Sequence, residues 1–112
     1  MSVTPAQLFG ALAHPLRLRA ALLLRDQGEL CVCELTHVFA TQQPVVSRHL
    51  AELRQAGLVT SRRDGTWIHY RLADDLPGWA GQVLAAAAAA EQTHRADRRI
   101  LQAMNARPEH AC

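Results

Sequence analysis

Apolar positions change their spacing midway along the chain, and that change predicts the elements. Up to residue 57 the spacing is helical. Thr4-Pro5 offers a capping hydroxyl followed by proline at the first helical position, and Leu8, Phe9 and Leu12 make a short first helix. His14-Pro15 restarts the pattern, and Leu16, Leu18, Leu22, Leu23 and Leu24 carry a second helix to Gly28. Arg17, Arg19 and Arg25 read as solvated or locally paired. Glu29-Leu30-Cys31-Val32-Cys33-Glu34-Leu35 reads as the opening of a third helix ending near Phe39, with Val32, Leu35, Val38 and Phe39 as its buried stripe. After a turn with Thr41 as expected N-cap, Val46, Leu50 and Leu53 recur at four- and three-residue spacing and share one face of an amphipathic helix. Gln43, Ser47, Arg48 and Arg54 fall on its other faces; Pro44 fits the first turn, and Gly57 supplies a left-handed stop.

Beyond Gly57 the pattern alternates. Leu58 to Arg63 is one strand, Asp64-Gly65 is a hairpin turn, and Thr66 to Leu72 returns, with Ile68, Tyr70 and Leu72 on one face and Trp67, His69 and Arg71 on the other. A short helix, a tight turn and a polar-faced second helix form a helix-turn-helix over residues 31–57; a hairpin over 58–73 makes it winged. Amide, hydroxyl and guanidinium groups at a helix start suit the paired donors and acceptors of a major groove. Such a face alone would equally suit an ordinary surface helix; the wing tips the balance. Asp74-Asp75-Leu76-Pro77 starts a last helix expected to run unbroken over residues 75–107, with a mobile tail at 108–112. Alanines 85 to 90 allow close approach of another helix, and one protomer has too little apolar material to cover an element this long. The expectation is a single α+β, mainly α, winged-helix domain over residues 1–112. It has helices α1–α4, a two-stranded wing and a long C-terminal helix that makes a homodimer.

Charge sharpens this reading. The net charge is only +2, but between Gln43 and Arg71 five arginines stand against two acids, a local +3. Arg62 and Arg63 on the hairpin suit phosphates, or else protect an edge strand. No apolar run approaches the ~20 residues that span a bilayer, and no basic-then-apolar leader opens the chain. The protein is expected in the cytoplasm without a membrane partner. Its three cysteines are better suited to metal or redox chemistry there than to a disulfide framework. Cys31 and Cys33, two apart, would point to nearly opposite sides of a regular helix and can share one small ion only where a helix begins. At such a start the helix dipole is expected to lower the thiol pKa.

Taken in order, Glu29-Leu30-Cys31-Val32-Cys33-Glu34-Leu35, Gln43-Pro44-x-x-Ser47-Arg48-His49-Leu50, Leu53-Arg54-x-x-Gly57-Leu58-Val59 and Gly65-x-Trp67-Ile68-x-Tyr70-x-Leu72 resemble the ArsR/SmtB family of metal-responsive repressors. The likeness runs from His14-Pro15 to Leu76-Pro77-x-Trp79 and is strongest to the arsenical branch. The resemblance implies a homodimeric repressor that holds double-stranded operator DNA in its own promoter. It would leave when trivalent arsenic or antimony, inorganic or organic, binds Cys31 and Cys33. No permanent cofactor and no enzymatic activity are implied. Gln43, Ser47 and Arg48 would contact bases, His49 is grouped with them, and Arg62 and Arg63 would contact DNA from the wing. The branch often has a third cysteine where Thr36 stands here. The third ligand is then Cys112 of either subunit, a small thiol, hydroxide or nothing, and with nothing a monosubstituted organic arsenical would be well matched.

Chelation is expected to distort the helix that supports the recognition helix. His94 and Asp97 have a chelating spacing on the terminal helix, but the Asp-x-His that zinc sensors carry there is missing. His14, His37, His49, His69 and His110 read as solvated or hydrogen-bonded rather than as ligands. Competing functions are a redox-responsive repressor, a thiol-based metalloid-binding protein and a thiol enzyme. A disulfide between residues two apart on a helix is strained, a carrier needs neither Gln43 nor a wing, and no Cys-x-x-Cys or anion-cradling cysteine loop is present.

Overall fold

Local signals start the first two helices where the sequence places them. In the computed structural model, which describes residues 3–104, Thr4 caps α1 (Pro5–Leu12) and forms a reciprocal capping box with Gln7. His14 caps α2 (Pro15–Gln27), its Nδ1 accepting the Leu16 N–H at 3.1 Å. Arg17 donates to the carbonyls of Ala11 and Gly10, tying the end of α1 to α2. Gly28 ends α2 at φ +88°, a left-handed turn that costs glycine little.

The next segment departs from expectation. Glu29–Cys31 is a strand, β1, and the third helix begins one residue later: α3 is Val32–Phe39. Three residues are too few to show a period, so only the partner strand decides. Helix α4 (Gln43–Gln55) follows, capped by Gln42 through its backbone only, so Thr41 is not the cap. Strands β2 (Val59–Asp64) and β3 (Trp67–Leu72) form the hairpin. β1 pairs antiparallel with the free side of β3, giving a three-stranded sheet of order β1-β3-β2 where a two-stranded wing was expected. In this register Leu30 lies opposite Tyr70, both buried.

The core is a leucine cluster from every helix: Leu8, Leu22, Leu35, Leu50, Leu84 and Leu101 are fully buried. The predicted α4 stripe of Val46, Leu50 and Leu53 is buried as a unit. Between α3 and α4, Ala40 sits at φ +51°, ψ +44°. A left-handed alanine costs about 1–2 kcal/mol, partly offset by the larger unfolded-state entropy of glycine. Ala40→Gly is therefore expected to stabilise the domain by about 0.5–1 kcal/mol, read as a rise in the melting temperature by circular dichroism.

The terminal helix is not continuous. α5 (Gly78–Ala90) stops at Glu91, whose extended backbone (φ −85°, ψ 109°) starts α6 (Gln92–Gln102). α6 folds back against α2 and α3 and buries His94, Asp97 and Leu101. An unbroken rod would leave these in solvent; the fold-back gives them partners within the same chain. Arg19 grips Asp97 through two hydrogen bonds of 2.8 and 2.9 Å, with Asp97 1% exposed, and the Arg19 guanidinium lies 4.7 Å over the Phe39 ring. Arg98 adds an ion pair to Asp26 at 2.9 Å. Neither residue of the Arg19–Asp97 pair is a solvated charge, and Asp97 is committed to the fold. Residues 105–112, including the end of the expected 75–107 helix, the 108–112 tail, His110 and Cys112, lie outside the described residues. No described helix is long and apolar enough to cross a membrane.

Packing α6 here has a titration consequence. His94 is 5% exposed, and burial is the main force lowering its pKa; Asp26 and Asp97 oppose it, while Arg98 and Arg25 reinforce it. The unfolded chain therefore binds a proton more readily than the folded one. Stability is full above the ordinary imidazole value of about 6.5 and falls as pH drops below it. His94→Gln is expected to flatten that loss below about pH 6.5, measured as urea midpoints across pH. An unchanged slope would assign the acid sensitivity to other groups.

Candidate thiol site and nucleic-acid interface

Cys31 is the last residue of β1 and the N-cap of α3, with extended backbone (φ −80°, ψ 152°). That conformation turns its side chain back over the first helical turn. Its sulfur accepts the Cys33 N–H at 3.5 Å, and the two sulfurs stand 2.9 Å apart. The pair thus converges because one member lies outside the helix. Glu34 closes a capping box by accepting the Cys31 N–H at 2.9 Å, and its side chain is buried. A buried carboxylate beside two thiols was not singled out from the sequence, although Cys-x-x-Glu has capping-box spacing.

The expected electrostatics are reversed. Burial pushes the Cys31 thiol up from its ordinary value and the Glu34 charge adds to this; hydrogen bonding from the backbone of Cys33 and Glu34 opposes it only in part. Cys31 is 2% exposed, so desolvation outweighs the helix dipole. Two neighbouring soft sulfur donors still suit a thiophilic metalloid. No group of three or more His, Cys, Asp or Glu able to hold a metal ion occurs among the described residues.

Cys31 and Cys33 help line a cleft of about 330 Å³, together with Val32, Trp67 and Ile68 and, from α4, Gln43 and Ser47. Residues proposed for ligand and for DNA thus share one depression, which sequence distance concealed. Gln43 and Arg48 are exposed at the start of α4 and Ser47 is half-buried. His49 points elsewhere: its ring packs on His14 at a centroid distance of 4.1 Å, with Nδ1 buried and unbonded among the described residues. Burial, then His14 and the arginines at 17 and 48, lower its pKa. It is a packing residue between α4 and α2 in this structure.

On the wing, Arg63 is exposed, but Arg62 is engaged. Its guanidinium binds the Glu29 carboxylate at 2.6 to 3.2 Å, and this pairing holds the Glu29 carboxyl below its usual range. Arg62, His69 and Cys31 occupy one row across the three strands. The row joins the thiol site to the wing arginine over two strand spacings, roughly 10 Å.

Residues 14–61 match the family described as bacterial regulatory protein, arsR family. The chain is 49% identical over 82 residues to the arsenic resistance transcriptional regulator ArsR1 of Pseudomonas putida, covering 73% of this chain and 64% of that protein. It is 48% identical to the arsenical resistance operon repressor of Escherichia coli, over 79% of this chain and 75% of the other. With ArsR2 of Pseudomonas putida the identity is 42%, over 95% and 93%. Among solved structures, HlyU of Vibrio cholerae superposes with a TM-score of 0.67 at 29% identity, over 76% of this chain and 88% of that one. The transcriptional repressor BigR of Xylella fastidiosa gives 0.65 at 35%, over 76% and 83%.

Proposed function

Because the chain belongs to the ArsR family and is an ArsR-type transcriptional repressor rather than an enzyme, we propose that it binds operator DNA as a homodimer and releases it when trivalent arsenic or antimony joins Cys31 to Cys33. The observation that carries this reading is the convergence of the two sulfurs to 2.9 Å at the junction of β1 and α3. Gln43, Ser47 and Arg48 read base edges, and Arg63, with Arg62 once drawn from Glu29, meets phosphates. His49 supports α4 from behind. The dimer surface lies on α1 and α5, where Phe9 is 55% exposed and alanines dominate. The protein works in the cytoplasm, where its operator is, with Cys112 a candidate third ligand.

Coupling has two routes in this reading. Chelation draws on the first turn of α3, which packs against α4, and on the end of β1, which is hydrogen-bonded through β3 to the wing. The ion need only favour the arrangement that misfits DNA, and ordinary couplings of about 1–3 kcal/mol change affinity 5–150-fold. The test is reciprocity. Operator affinity is measured with and without arsenite, and arsenite affinity with and without operator; the two ratios must agree. Arsenite binding that ignores operator DNA would remove the proposal.

A further inference from the structure

One of the arginines expected on DNA is already occupied by an anion of its own chain. Glu29 on β1 and Arg62 on β2 meet diagonally over β3, where Arg71 is the partner of Glu29 and His69 the partner of Arg62. Arg62 Nε donates to both carboxylate oxygens, at 3.0 and 3.2 Å, and Nη2 donates to one of them at 2.6 Å. This is the forked, charge-assisted contact that a guanidinium makes with a carboxylate or a phosphate alike. The surroundings of the carboxylate also resemble an anion seat. Thr60 and Arg71 line the same cleft of about 230 Å³, and His69 Nδ1 lies 4.0 Å from a carboxylate oxygen. Arg71 is in turn bound by Asp74. The Arg62 side chain is 54% exposed, so the pair stands at the surface, within reach of a DNA backbone.

Resting on the reading above that Arg62 meets phosphate, we propose that Glu29 is an internal stand-in for a DNA phosphate, holding Arg62 in the free protein and yielding it when operator binds. Carboxylate and phosphate compete for the same N–H edge, so breaking the pair offsets part of what the phosphate contact contributes. Glu29 thereby weakens the grip on the operator from which the repressor must later be displaced. It is a positioning residue that acts through Arg62 and does not itself touch DNA. An exposed pair shifts an equilibrium by up to about fivefold. Its forked geometry sets this one at about threefold for each wing, and about tenfold for a dimer with both wings on DNA.

Affinities are measured by fluorescence anisotropy across a salt series, on a duplex that the wild-type protein enriches from a random-sequence pool. Wild type, Glu29→Gln, Arg62→Gln and the double variant are compared. Glutamine suits both surface positions, and circular dichroism checks that the fold is kept. Glu29→Gln should tighten binding about tenfold. In the Arg62→Gln background the same change should move affinity by less than about twofold, because no guanidinium is left to release. Arg62→Gln should also lower the slope of log affinity against log salt by about 0.9 for each wing. A gain from Glu29→Gln that is as large without Arg62 would assign it to bulk charge near DNA and overturn the proposal. No gain at all, or a slope that Arg62→Gln leaves unchanged, would overturn it too. All three outcomes leave the repressor reading standing, because wild type still holds the duplex and arsenite still releases it. Failure of wild type to enrich any duplex would overturn both.

Discussion

Replacing Cys31 and Cys33 together by serine is expected to abolish release by arsenite while the protein still holds its operator. In wild type, arsenite should weaken operator binding by about 5–150-fold; in the double variant that ratio becomes one. The fold survives because the capping role of Cys31 passes to a better residue. Its sulfur accepts the Cys33 N–H at a long 3.5 Å, and serine is among the preferred N-caps. Glu34 still accepts the residue-31 N–H, so the box stays closed. Two hydroxyls offer arsenic no soft donor. Gel-shift titrations of both proteins with arsenite and antimonite decide the matter; continued release from the serine variant would remove the thiol pair from the mechanism.

The second large effect is on stability. Asp97→Ala should destabilise the protein by about 2–4 kcal/mol, toward the lower end of what a broken buried pair costs because Arg19 keeps some solvent. For a domain of this size that is a fall in melting temperature on the order of 10–15 °C. Asp97 is 1% exposed and Arg19 23%, so the variant strands a guanidinium against Phe39 without its carboxylate. Arg19→Met with Asp97→Leu removes both charges and should recover most of the loss, since apolar replacements of buried pairs are often neutral. A drop that persisted in the double variant would mean that shape at the α2–α6 contact, not charge, holds α6 in place.

Much of the architecture was legible. Thr4-Pro5, His14-Pro15 and Gly28 mark boundaries through side-chain caps and a left-handed turn, all local in the chain. Val46, Leu50 and Leu53 announced the buried face of α4 because helical periodicity is intrinsic to the backbone. The hairpin followed from Asp64-Gly65, with Gly65 at φ +64°, although Asp64 still pairs with Trp67 as the end of β2, so the two-residue turn is Gly65-Thr66, one position later than expected. What failed was non-local. Glu29–Cys31 became a strand because β3 presents an open edge to it. The terminal helix broke at Glu91 because Asp97 finds Arg19, 78 residues away. His49 turned inward to His14 rather than outward with Arg48.

The sequence by itself determined α1, α2, α4 and the hairpin, the polar face of α4 and the nearness of two sulfurs along the chain, because caps, periods and residue types act over a few positions. Only the tertiary structure decided how those sulfurs are placed. Burial raised the Cys31 thiol where a helix start alone would have lowered it. Strand pairing set Cys31 in a row with Arg62. Packing of α4 against the hairpin put Trp67 and Gln43 in one cleft with the sulfurs. Desolvation, strand partners and cleft walls belong to residues distant in the chain, so no local pattern could carry them.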